Sequence, residues 1–149
     1  MSTGASGAHD VVLIEGIEPS IRWRTYAAEL VDVATRLGVR TVITLGAFLA
    51  DVPHTRAIPI TTSSDDAAVQ ERFGAEPSEY QGPTGIVGVL GEAVRAAGLE
   101  ALSCWAAVPH YAGGPPSPKA ALALLGRLEE LLEVSIPTRT LADEARAWE

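Results

Sequence analysis

Apolar runs alternating with stretches of helical period are what most constrain this chain. Val11–Ile14, Thr41–Leu49 and Leu99–Val108 are mostly apolar, the pattern of strands buried on both faces. After the first run, Trp23, Ala27, Leu30, Ala34 and Leu37 recur every three or four residues, while Arg22, Glu29, Asp32 and Arg36 lie off that stripe. The spacing predicts an amphipathic helix, opened by Pro19-Ser20, closed by Gly38 as its C′ residue and carrying an i,i+4 pair, Asp32 with Arg36. Strand, helix, short turn and strand make a βαβ unit, expected to be parallel and right-handed.

The rest of the chain continues the alternation. Arg56–Thr61 reads as a short strand that Pro59 confines to an edge. Ser64-Asp65-Asp66 provides caps for a short helix over Ala67–Phe73, ended by Gly74. Thr84 can cap a helix carrying Ile86, Val89, Leu90, Ala93 and Ala97, closed by Gly98. Ser117 and Pro118 launch a leucine-rich helix that Pro137 breaks, and Thr140 with Asp143 resembles a capping box for a last helix. The expected architecture is α/β, a three-layer αβα arrangement around a mainly parallel sheet. Residues 1–9 read as a flexible leader or linker, and 10–149 as a single domain.

Composition narrows the function classes. The 149 residues carry 11 basic and 19 acidic side chains, a net charge of −8, the wrong sign for a nucleic-acid binder. One cysteine, Cys104, leaves no intrachain disulfide and no thiolate cage; placed mid-strand among apolar residues, it reads as an inert core thiol. No apolar run approaches the roughly 18 residues of a membrane span, and no secretory signal pattern opens the chain. A cytoplasmic location is the expectation, with no cofactor and no metal.

Candidate chemistry gathers where strands end. Val-Pro-His occurs twice, at Val52–His54 and Val108–His110, each after a strand and so at the sheet's carboxyl side, where open α/β folds bind ligands. Asp51, His54 and Arg56 form a compact acid, base and cation set, with His110 and Tyr111 standing as partners across from them; a carboxylate-held imidazole is the basis of general acid–base catalysis. The competing reading is structural, with Asp51 capping a turn and His54 bonding local backbone. Gly82, Thr84 and Gly85 place glycines and a hydroxyl at a helix start, a candidate anion or partner site. Without a Gly-Lys-Ser/Thr triplet this is no P-loop, and tight helix packing explains the glycines equally well.

Several segments together resemble the PAC2 family, bacterial and especially actinobacterial relatives of proteasome assembly chaperones. They are Glu18–Arg24, Thr44–Arg56, Tyr80–Ile86, Trp105–Tyr111 and Pro116–Ala120, in that order along the chain. The resemblance implies a fold akin to nucleoside phosphorylases and peptidyl-tRNA hydrolases, self-association, and a protein client related to the proteasome. It also implies that the chain corresponds to part of a longer family fold. The function expected on this basis is that of a non-enzymatic, assembly-chaperone-like subunit. The alternative is a small-molecule enzyme of phosphorylase or hydrolase type, using Asp51, His54, Arg56 and His110.

Overall fold

The computed structural model describes residues 10–79, 85–112 and 116–148. In chain order its elements are α1 (Trp23–Arg36), β1 (Thr41–Ala50), β2 (Ile60–Ser63), α2 (Ala67–Phe73), α3 (Ile86–Ala96), β3 (Glu100–Pro109), a 3-10 turn (His110–Ala112), α4 (Pro118–Leu132) and α5 (Leu141–Trp148). The strands pair in the order β1-β3-β2. β3, the most apolar strand, takes the centre: Leu102, Cys104 and Ala106–Pro109 are all buried.

Hydrogen bonds fix the strand directions. Glu100 N–H donates to Arg40 O at 2.9 Å, and Thr44 Oγ1 to Leu102 O at 3.3 Å. Positions on β1 and β3 rise together, so this pair is parallel. On the other side Ala107 N–H donates to Pro59 O at 3.0 Å while Ser64 Oγ donates to Ala101 O at 2.8 Å. Here positions run oppositely and β2 is antiparallel to β3. The sheet is therefore mixed, and the expectation of a mainly parallel sheet is corrected. The link 51–59 holds no helix, and a parallel crossover needs about a dozen residues or more. The chain after β1 can return only in the opposite direction.

A second correction concerns Val11–Ile14, which forms no strand and is exposed, Leu13 by 82%. A four-residue apolar run becomes a strand only when a neighbour supplies a ladder. Nothing among the described residues does so, and the expected βαβ unit keeps only its helix and second strand. α1 also starts later than Pro19-Ser20 suggests, because Arg22 adopts the left-handed region (φ 58°) and turns the chain before the helix. Likewise α4 ends at Leu132, ahead of Pro137, where Glu133 takes φ 52°.

Contacts divide the chain into two units. One holds Leu45–Thr61 and Cys104 onward, with the segment ending at Leu13. Its core is Ile58, Ala106, Val108 and Ala120, flanked by Ile60, Ala123 and Leu124, and α4 packs on α5. The other holds Ile14–Thr44 and Thr62–Ser103; there α1 packs on α3, and Ala27 and Val94 are fully buried. Caps behave as the sequence suggests. Asp66 Oδ1 accepts the N–H groups of Ala68 and Val69 at 2.8 and 3.3 Å, fixing the start of α2, and Ser117 Oγ accepts from Ala120 N at 3.4 Å at the start of α4. Asp32 and Arg36 pair at 2.9 Å but are both exposed, so the pair contributes only about 0.3–0.5 kcal/mol. The capping box at Thr140 takes a different form: its hydroxyl donates to Glu144 Oε1 at 3.0 Å.

Gly46 on β1 is the tightest approach in the first unit. A methyl group there would lie 2.7 and 2.8 Å from Trp105 Cε3 and Cη2 on β3. Gly46→Ala is expected to destabilise the protein by about 1–3 kcal/mol, since the indole must move off a paired strand. Urea denaturation followed by Trp fluorescence measures this, and an unchanged midpoint would contradict it.

Candidate functional site

The turn following β1 and the 3-10 turn following β3 both carry a Pro-His pair, and the structure joins them through one phenol. Tyr111 Oη accepts the backbone N–H of His54 at 2.9 Å and lies 3.2 Å from its Nδ1. The His54 and Tyr111 rings meet edge to face, centroids 5.7 Å apart. His110 and Tyr111 do the same at 5.4 Å. The phenol therefore stands between both imidazoles, an arrangement each worth about 0.5–1.5 kcal/mol for ring pairs of this geometry.

Two further bonds anchor the junction. Lys119, in the first turn of α4, donates its ammonium to the His54 carbonyl at 2.5 Å. His110 Nδ1 faces the Ala50 carbonyl at 3.4 Å. A carbonyl only accepts, so this contact assigns the proton of a neutral His110 ring to Nδ1 and leaves Nε2 as the acceptor. The end of β1, the turn behind it, the turn after β3 and the start of α4 are tied together at this point. Lys119 is the participant that sequence reasoning missed. Its signal was its place directly after Ser117-Pro118, which fixes it in the first helical turn.

Asp51 and Arg56 make none of these bonds through their side chains. Both are exposed, and neither side chain makes a hydrogen bond or ion pair with a described residue; Arg56 contributes only its N–H, to Pro53 O at 3.3 Å. His54 is thus oriented by a phenol rather than by a carboxylate. Gly82 and Thr84 lie outside the described residues, as does residues 1–9, the expected leader. Gly85 is the N-cap of α3, with extended backbone (φ −105°, ψ 179°), and belongs to the other unit. Cys104 is fully buried. Among the described residues no group of three or more His, Cys, Asp or Glu is placed to hold a metal, and no helix is long and apolar enough to cross a membrane.

The fold recurs in solved structures. A PAC2 family protein from Streptomyces avermitilis superposes with a TM-score of 0.91 at 50% identity, covering 97% of this chain and 63% of its own. A Mycobacterium tuberculosis proteasome-assembly chaperone homologue gives 0.81 at 49%, over 89% of this chain and 56% of its own. An archaeal homolog of proteasome-assembly chaperone from Pyrococcus furiosus, at 20% identity and a TM-score of 0.66, shares the fold. No curated protein matches. The model of the PAC2 family matches residues 2–149, and the chain belongs to that family. It spans about three-fifths of the length of the first two relatives, 63% and 56%. None of these three relatives is a nucleoside phosphorylase or peptidyl-tRNA hydrolase, so that part of the expected likeness has no support.

If the phenol ties the two turns as described, Tyr111→Phe and His54→Ala should each cost about 0.5–1.5 kcal/mol, and the double variant less than their sum. A double-mutant cycle in urea measures the coupling; strict additivity would contradict a direct bond.

Proposed function

We propose that this chain is a non-enzymatic protein-binding subunit of the assembly-chaperone type, self-associating and acting in the cytoplasm on a proteasome-related client. The observation that carries the reading is its 49% identity, over 89% of its length, to a protein described as a proteasome-assembly chaperone homologue. The surface supports it. Among the described residues β1 is an edge strand, ten residues long without a charge or proline, and Leu45, Phe48 and Leu49 on it are exposed. An edge so unprotected favours pairing with another chain, here a second copy.

The enzymatic reading draws on one observation, that the two Pro-His turns meet at Tyr111. General base catalysis by His54 would gain most from a carboxylate behind its ring, and Asp51 does not provide one. Loop pinning accounts for the bonds described at the junction, which favours the binding reading.

Two measurements test this. Affinity capture with the tagged chain from an actinobacterial lysate is expected to retain proteasome subunits, and their absence from the eluate would contradict the client. Phe48→Glu is expected to lower the mass measured by light scattering toward that of a monomer, because a charge then opposes pairing at the strand edge. Unchanged mass would remove β1 as the contact.

A further inference from the structure

The segment Ile21–Arg24 takes no part in the junction or in the β1 edge. It lies in the second unit, where Ile21, Trp23 and Thr25 with Val89 of α3 line an open hollow of about 440 Å³ that Arg22 and Arg24 border. The depression is shallow and widely open to solvent, and its surface is mostly apolar. Ile21 is 73% exposed, and the indole N–H of Trp23 is already spent on the Pro19 carbonyl, leaving its ring to offer apolar contact.

Five of the ten arginines pair with a carboxylate of a described residue, and Arg22 and Arg24 are not among them. Arg36, Arg72, Arg95, Arg127 and Arg146 each pair with a carboxylate. Arg22 and Arg24 are exposed and make no ion pair with any described residue. The first turn of α1 holds no acidic side chain to offset them, and its helix dipole adds positive charge at the same place. In a chain of net charge −8, an apolar hollow bordered by two uncompensated guanidinium groups is a local reversal of sign.

We propose that this hollow docks a short acidic segment of a partner protein. An apolar side chain of that segment enters between Ile21, Trp23 and Val89, and flanking carboxylates pair with Arg22 and Arg24. Aromatic and arginine side chains are the commonest energetic anchors of protein interfaces, and the guanidinium fork matches a carboxylate. A nucleic acid fits less well, because the net charge repels a polyanion along the rest of its length. The inference rests on the protein-binding reading above, and names the chemistry of a partner at a site separate from the β1 edge.

Fluorescence anisotropy on the full chain tests it, with a short labelled peptide alternating Glu with Leu as the probe. Companion probes are the same peptide with Lys for Glu, an all-Glu peptide and an oligo-dT strand. The Glu/Leu peptide is expected to bind saturably, and the Lys peptide not to bind. The double variant Arg22→Asn, Arg24→Gln should weaken binding at least about tenfold, and Ile21→Ala several-fold. Asn tolerates the left-handed backbone at position 22, so the thermal midpoint of the variants should be unchanged, and this is measured alongside. No saturable binding, or equal affinity in the neutralised variant, overturns the proposal. Equally tight binding of all-Glu peptide or oligo-dT also overturns it, in favour of a simple anion site. So does a fall in the chain's own mass in the neutralised variant without any peptide binding, which would make a second copy the occupant. Retention of proteasome subunits by the neutralised variant at wild-type level would remove this site from the client contact and leave the chaperone-type reading standing; saturable, arginine-dependent peptide binding with an empty capture would do the reverse.

Discussion

Pairing of β3 on both of its sides is the constraint from which the rest of the structure follows. β3 is the only strand with two neighbours among the described residues, and its ten residues supply Leu102, Cys104, Ala106 and Pro109 to the most buried positions. Each unit takes one part of it: Glu100–Ser103 lies with α1 and α3, Cys104–Pro109 with α4 and α5. In the first of these parts Glu100 accepts from both Thr41 and Arg72. In the other, small side chains at Ala106 and Ala120 let strand and helix share one core.

The strand also delivers the functional candidates. Because β1 and β3 run parallel, their ends and the two Pro-His turns fall on the same side, and Tyr111 can reach His54 within hydrogen-bond distance. That geometry uses imidazole, phenol and ammonium as ties between backbone segments. These side chains thereby hold the two turns and the start of α4 together. What the described residues leave without partners is of another kind: the exposed apolar residues of β1 and Val11–Ile14, and the arginine-bordered hollow at α1.

Local signals in the sequence were legible wherever a side chain acts on its own backbone. Asp66 and Gly74 delimit α2, and Ser117-Pro118 starts α4, at the positions their chemistry dictates. Pro59 correctly confines β2 to an edge, although pairing begins at its carbonyl, which accepts from Ala107. Illegible features depended on a distant partner or on an unlikely backbone. Val11–Ile14 has the composition of a buried strand, but composition does not supply a ladder. Arg22 and Glu133 occupy the left-handed region without being Gly or Asn, so neither the late start of α1 nor the early end of α4 was marked. At the candidate site both His residues and Tyr111 were legible as a group. The phenol's place between them, and the absence of a bond to them from the Asp51 or Arg56 side chain, depend on how two turns meet.

Hydrogen–deuterium exchange at low and high protein concentration joins the account of the fold to the account of function. Backbone amides of β3 should exchange slowest at both concentrations, at the rate of global unfolding. Amides of β1 that do not bond to β3 should exchange quickly in dilute protein and become protected as concentration rises and the edge is covered. Fast exchange throughout β3, or β1 amides whose protection is independent of concentration, would contradict a structure organised on one doubly paired strand with an open edge for contact.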